Sequence, residues 1–273
     1  MSSVPIPAGP RGFVESDGEQ IYFESWGTGD TVVLSHGMGG NHAIWYRQVP
    51  ILAADYRVVT WDQRGFGRST NLTNKLGPES SIGDMVRILD HLDIDRTHVI
   101  GQSMGGWASL GFALTHPTRT HSLVLADTIG GVFTPEIRQA FIDYGQLIVA
   151  SPPPDQLPLG MHPAVGDQLA GEDLTQSFLY SQIGGLASPP SPMAITELLL
   201  AVDYTTHLDS LMAPVLFVVG ENDPIFSPTV IEKAAALVSG SEVSVIYDTG
   251  HSPYFERPDL WNDVVGRFLR RWT

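Results

Sequence analysis

Apolar residues in this chain follow two rhythms. Short runs with hydrophobic residues at consecutive positions recur as "TVVLSHG", "YRVVTWD", "THVIGQS" and "SLVLADT", and again after a gap as "PVLFVVG" and "SEVSVIYD". Consecutive apolar positions suit strands buried on both faces, the pattern of a parallel sheet covered by helices. Two earlier runs, "GFVES" and "QIYFESW", lie close together and read as an antiparallel hairpin at one edge. Between the later runs apolar residues fall at helical spacing: Ile82, Met85, Leu89 and Leu92, then near the end Leu260, Val264, Phe268 and Trp272. This alternation predicts an α/β fold, a mostly parallel sheet flanked by helices. There is no internal repeat at a period of about 20–50 residues.

One interval breaks the rhythm. About 85 residues, 129–213, separate "SLVLADT" from "PVLFVVG", far more than a plain crossover needs. Phe133, Ile137, Phe141 and Ile148 share one helical face there, and the proline-rich stretches "SPPPDQLP" and "SPPSP" punctuate helices rather than continue them. The apolar content argues against a disordered linker. We expect a core built from residues 1–128 and 214–273, with 129–213 inserted as a mostly helical cap over one end of the sheet.

The junctions carry the candidate chemistry. In "THVIGQSMGGW" the apolar run stops at Gly101, and Ser103 sits in the pattern Gly101-x-Ser103-x-Gly105. A serine on a tight strand-to-helix turn must take a strained backbone conformation for its Oγ to point out of the fold, and side chains two positions either side would collide. With 28 glycines in the chain, chance alone gives roughly 0.2 such matches, so its position at the end of an apolar run is what gives it weight. A serine nucleophile needs a base, and the base needs an orienting acid. Of nine histidines, His251 follows the last apolar run in a glycine-flanked loop, whereas His116, His121 and His162 read as helix-end or loop residues. Asp223, in "FVVGENDPIF", follows the preceding run; Asp62, Asp127 and Asp248 also stand at ends of apolar runs. Ligand and catalytic groups cluster at the carboxyl ends of such strands, and the order Ser, Asp, His suits this arrangement. Two N–H donors for a developing oxyanion are expected from Met104, next to the serine, and Met38, in the glycine-rich "SHGMGGN"; the His36 side chain reads as structural. Arg64 and Arg68 in "WDQRGFGRST" read as structural ion-pair residues, since this is no phosphate-binding loop. Trp45, Trp61 and Trp107 read as core.

Composition narrows the classes. The chain has no cysteine, which excludes disulfides and thiolate metal sites, and neither a cofactor nor a metal enters the reading. The formal net charge of −15 argues against nucleic acid and anionic membrane surfaces as partners. The N-terminus shows no secretory h-region, and no run of about 18 apolar residues suggests a membrane span. A soluble cytoplasmic protein, monomeric or homodimeric, is the expectation.

The motifs "HGMGG", "DQRGFGRS", "GQSMGG", "GENDP" and "GHSPYFERP", in this order, resemble the α/β-hydrolase family over nearly the whole chain. The resemblance implies an eight-stranded, mostly parallel sheet, a cap inserted after the sixth strand, and a Ser103–Asp223–His251 triad. Some members take the acid from after the sixth strand, which makes Asp127 the rival of Asp223. Similar epoxide hydrolases and haloalkane dehalogenases use aspartate where this chain has Ser103, which disfavours those chemistries. The expected function is hydrolysis of carboxylic esters of small, neutral, fairly apolar substrates through an acyl-enzyme. Lactonase, C–C bond hydrolase and perhydrolase activities use the same triad, and a ligand-binding receptor on the same scaffold is the non-enzymatic alternative. Residues 131–210 carry nine acidic side chains and one basic one, Arg138, so the site should disfavour anionic substrates.

Overall fold

The computed structural model describes residues 5–150, 156–159, 161–185 and 190–273. The strands are β1 (Ala8–Ser16), β2 (Glu19–Trp26), β3 (Thr31–Ser35), β4 (Arg57–Trp61), β5 (Thr97–Gln102), β6 (Thr120–Ala126), β7 (Val215–Gly220) and β8 (Glu242–Ile246). They form one eight-stranded sheet in the order β1-β2-β4-β3-β5-β6-β7-β8. β2 runs antiparallel to both β1 and β4, and every other pairing is parallel. Every residue of β3, β5 and β7 is buried, which is why those runs show no alternation. β8 lies at the edge and is correspondingly more exposed.

Helices α1 (Val49–Leu52), α2 (Pro78–His91) and α3 (Gly105–Thr115) occur among the first six strands. Between β6 and β7 lie α4 (Pro135–Ala150), α5 (Asp167–Glu172), α6 (Leu174–Gly184) and α7 (Pro192–Leu200). α8 (Pro228–Ala235) joins β7 to β8, and α9 (Pro253–Glu256) and α10 (Pro258–Leu269) close the chain. Two cores result, one on each face of the sheet. Met85, Leu89, Phe112 and Ile231 from α2, α3 and α8 pack on one face; Leu52, Trp261, Val265 and Phe268 from α1 and α10 pack on the other. Trp45 and Trp61 are fully buried and Trp107 nearly so.

The spacing predicted for the last helix matches its buried face only in part: Phe268 is buried and Val264 packs against the core. Leu260 and Trp272 are exposed, and the buried face is Trp261, Val265, Phe268 and Leu269. A strict four-residue step turns 400° and so drifts off a helical stripe, whereas the observed stripe mixes steps of three and four. Likewise His121 lies on β6 rather than in a loop, stacked on His98 with ring centroids 5.0 Å apart.

The segment between β6 and β7 is pinned into both cores. Phe133, Ile137, Phe141, Ile195 and Leu199 join one; Val165, Leu169 and Ile183 join the other. At about 1.5–3 kcal/mol per fully buried large side chain, this docking is strongly favourable. Hydrogen bonds add register: Asn41 Nδ2 donates to the Ile183 carbonyl (2.8 Å), Trp107 Nε1 to the Leu199 carbonyl (3.1 Å) and Ser252 Oγ to the Tyr180 hydroxyl (2.9 Å). The Ile148 side chain, residues 151–155 and part of "SPPSP" lie outside the described residues. No helix among those described is long and apolar enough to cross a membrane.

The sheet order also locates a crevice. The chain leaves β3 toward β4 on one side, but β5 lies on the other side of β3. Loops leaving the carboxyl ends of β3 and β5 therefore diverge and open a cleft at the switch point. Met38 follows β3 there, and Ser103 follows β5.

Candidate active site

Ser103 occupies the left-handed region with φ +49°, a conformation that costs a non-glycine residue energy and marks a constrained turn. Its N–H donates to the Ala126 carbonyl of β6 (2.9 Å), and its carbonyl accepts from Gly106 as α3 begins (2.9 Å). The flanking glycines are sterically required. A Cβ at Gly101 would drive into Ser109 Oγ and the Gly105 backbone, and one at Gly105 into the Ser35 and His36 carbonyl groups. Because those obstacles at Gly105 are backbone atoms, Gly105→Ala should cost about 1–3 kcal/mol of stability and misplace the serine. Thermal unfolding alongside labelling by an organophosphonate checks this, and a fully stable, fully labelled variant would contradict it.

Asp223 and His251 meet behind this turn. Asp223 Oδ2 lies 2.8 Å from His251 Nδ1, while Oδ1 accepts the N–H groups of Ile225 (2.7 Å) and Phe226 (3.1 Å). These bonds fix the carboxylate from its own loop. A carboxylate can only accept, so Nδ1 carries the proton and Nε2 keeps its lone pair. Among the described residues Nε2 is buried without a hydrogen-bond partner, and the Ser103 hydroxyl makes no hydrogen bond. The His251 carbonyl accepts from Gln102 Nε2 (3.1 Å), which ties the histidine loop to the residue preceding Ser103.

The other aspartates have different positions. Asp127 is completely buried and also left-handed, φ +49°, at the end of β6. One oxygen accepts the Gly220 N–H (2.9 Å), and the other is buried with no partner among the described residues. Burial, reinforced by the negative charge of Asp223, pushes its carboxyl well up, so it stays protonated. Asp62 accepts from the His42 and Arg68 backbone and pairs with the His42 ring; Asp248 is exposed. Asp127, Asp223 and His251 offer ligand atoms within 4.8 Å of one another. A metal there would have to break the Asp223–His251 bond and deprotonate Asp127, which makes it a poor ligand set.

The loop after β3 passes directly over the serine, since a Cβ at Gly37 would meet Ser103 Cβ at 3.0 Å. The N–H groups of Met38, in that loop, and Met104, at the start of α3, find no acceptor among the described residues. His36 donates to the Gly37 carbonyl (2.7 Å) and accepts from the Gln63 N–H (3.0 Å); burial holds its pKa down, which suits a neutral structural ring. Arg64 is bidentate to buried Asp84, through Nε (3.1 Å) and Nη2 (2.6 Å), beside this loop.

Some neighbours were legible in the sequence, Phe133 and Phe141 by their shared helical face, whereas Phe226 carries no sequence signal. An aromatic wall runs from Phe133 and Trp107 through Phe141 and Phe226 to the His251 ring, 6.1 Å from Phe226. His162, between β6 and β7, accepts the Ala164 N–H at Nδ1 (3.1 Å) and is held to about pKa 4, chiefly by burial and then by His251. Glu256 bonds the backbone on both sides of His251. Only adjacency in the fold brings these residues together.

The chain matches known proteins over most of its length. Residues 30–258 match a family model for the alpha/beta hydrolase fold. The chain is 31% identical over 268 residues to a 2-hydroxy-6-oxononadienedioate/2-hydroxy-6-oxononatrienedioate hydrolase of Escherichia coli, covering 92% of this chain and 91% of that one. Among solved structures it resembles a thermophilic esterase from Thermogutta terrifontis, with TM-score 0.80 and 26% identity, covering 97% of this chain and 100% of that one. It also resembles Est816, described as an N-acyl homoserine lactone degrading enzyme, with TM-score 0.73 and 28% identity, covering 95% and 100%. With the sheet order, the serine turn at the switch point and a match across most of its length, this chain belongs to the α/β-hydrolase family and is a hydrolase.

Proposed function

We propose that the protein is a serine hydrolase cleaving carboxylic esters of small, neutral, fairly apolar substrates, with 129–213 as the cap over a core of 1–128 and 214–273. The observation that carries this reading is the pairing of Asp223 with His251 Nδ1, which leaves Nε2 unspent in a loop bonded through the His251 carbonyl to Gln102, the residue before the left-handed Ser103. Nε2 takes the Ser103 proton as Oγ attacks the ester carbonyl carbon. The carbonyl electrons move onto oxygen, and the Met38 and Met104 N–H groups receive that oxyanion. Collapse of the tetrahedral intermediate expels the alkoxide, which leaves as alcohol with the proton from Nε2. Water then repeats the sequence on the acyl-enzyme, releasing the acid and restoring Ser103.

The substrate class follows from the lining and from where the charges lie. The wall beside His251 is aromatic. Arg138, the cap's one basic residue, is spent on Asp203 (2.9 Å), the Leu200 carbonyl (2.9 Å) and the face of Phe133; the charge of Arg64 is cancelled by Asp84. A dicarboxylate of the kind named for the Escherichia coli relative thus meets no free cation among these groups. The described cap carboxylates are exposed, so their repulsion is screened by salt, whereas the cost of desolvating a substrate carboxylate against the wall is not. A neutral p-nitrophenyl ester should therefore exceed its carboxylated analogue at least tenfold or so in kcat/KM, and most of that gap should persist at high salt. Equal values at low salt would refute the assignment. Lactones are the second reading, favoured by the Est816 likeness: they are neutral esters and need no different machinery.

A further inference from the structure

Glu256 takes no part in these steps, yet it is 5% exposed and its carboxylate is fully engaged. Oε1 accepts the N–H of Gly250 (3.1 Å) and Ser252 (3.2 Å); Oε2 accepts the N–H of Gly250 (3.0 Å) and Gly166 (3.0 Å). Gly250 and Ser252 are the chain neighbours of His251. Gly166 belongs to the cap, immediately before α5. The contact exists because both partners are glycine. A Cβ at Gly250 would come within 2.6 Å of the Gly166 nitrogen, and one at Gly166 within 2.9 Å of Oε2. Resting on the reading of His251 as the base, we propose that Glu256 is a positioning residue that clamps both backbone flanks of His251, ties them to the cap at Gly166 and holds a negative charge near the imidazole.

Two consequences follow from the chemistry. First, the seating of the cap and the aim of the base share one carboxylate, so a disturbance at Gly166 reaches the histidine loop. Second, the charge matters beyond the hydrogen bonds. Burial leaves the Glu256 carboxyl above its ordinary value even though the N–H groups of Gly250, Gly166 and Ser252, with His251, pull it down; both its oxygens accept from N–H donors, the arrangement of a carboxylate. An anion here stabilises the imidazolium that forms when Nε2 takes the serine proton. Other polar groups around the histidine loop are Asp223, protonated Asp127, and the neutral His162, Tyr144, Tyr180 and Tyr254. The Glu256 charge adds to burial in raising the Asp127 carboxyl and the Tyr180 hydroxyl, so Glu256→Gln eases both down, with burial the larger cause in each.

The test compares pH profiles of kcat/KM on neutral p-nitrophenyl esters of short and long acyl chain. In Glu256→Gln the acidic limb should move to lower pH by about half a unit or more, because the imidazolium loses a nearby anion, and kcat should fall about tenfold as the loop loosens. Glu256→Asp keeps the charge on a shorter arm, so its limb should return while kcat stays low. Gly166→Ala leaves the charge in place, so its limb should not move, but KM for the long ester should rise several-fold. A purely structural clamp would lower kcat without moving the limb. A Glu256→Gln limb superimposable on the parent's, or a Glu256→Asp limb displaced as far as that of Glu256→Gln, overturns the proposal. If Glu256→Gln does not fold, Gly166→Ala decides: unchanged KM across acyl lengths removes the tie to the cap. Phosphonate labelling that survives Ser103→Ala would sink the triad reading and this proposal with it; an unmoved limb in an active parent sinks the proposal alone.

Discussion

Ser103→Ala should lose at least about 10⁴-fold in ester turnover while keeping its fold, as removal of the nucleophile does in other triads. The expectation rests on position. Ser103 is the left-handed residue between β5 and α3, and its hydroxyl is spent on no described neighbour. Alanine removes only the Oγ, and its Cβ occupies the place of the serine Cβ, so the glycine contacts are undisturbed. Residual activity at the 10⁻⁴ level would come from the Met38 and Met104 N–H groups and from substrate binding. Steady-state turnover with circular dichroism as a fold control makes the comparison, and phosphonate should label the parent and spare the variant. A folded variant with a tenth of parental activity would remove Ser103 from the mechanism.

The second large effect separates two neighbouring acids. Asp223→Asn should cost about 10⁴-fold in kcat, because an amide facing Nδ1 permits the wrong imidazole tautomer. Asp127→Asn should stay within about threefold of the parent, since a neutral amide replaces a neutral acid of the same shape. The Gly220 N–H that Asp127 accepts at 2.9 Å can still be accepted by the amide oxygen. The contrast tests both the pairing of Asp223 with His251 and the protonation of Asp127. A nearly neutral Asp223→Asn beside a crippled Asp127→Asn would reverse the assignment of the acid.

Much of this was legible along the chain, and each success has a local cause. Strands buried on both faces must be continuously apolar, so β3 through β7 announce themselves, and the absence of alternation itself indicates a covered parallel sheet. The serine turn is legible because its steric demand is local: Gly101 and Gly105 lie within two residues of Ser103, and a missing side chain is visible in a sequence. Chain order and position at strand ends brought Ser103, Asp223 and His251 forward, but they left four aspartates in competition.

The tertiary structure decided what depends on partners distant in sequence. Asp127 and Asp223 both follow buried strands, and only the distances show that one carboxylate faces Nδ1 while the other turns to Gly220 and loses its charge to burial and to its neighbour. The buried face of α10 was legible only in part, with Phe268 on it and Leu260 off it, because helical phase over twelve residues depends on what the helix packs against. Glu256 lies within the motif "GHSPYFERP", but nothing along the chain gave it a role, because its partner Gly166 is 90 residues away and meets it only in the fold. The sheet, its element order and the candidate nucleophile could be read along the chain, because hydrophobic period and glycine sterics act over a few residues. Which aspartate faces His251, which charges are neutralised and how the segment between β6 and β7 is fastened to the loop carrying His251 depend on the fold, because charge, desolvation and hydrogen bonding act through space rather than along the chain.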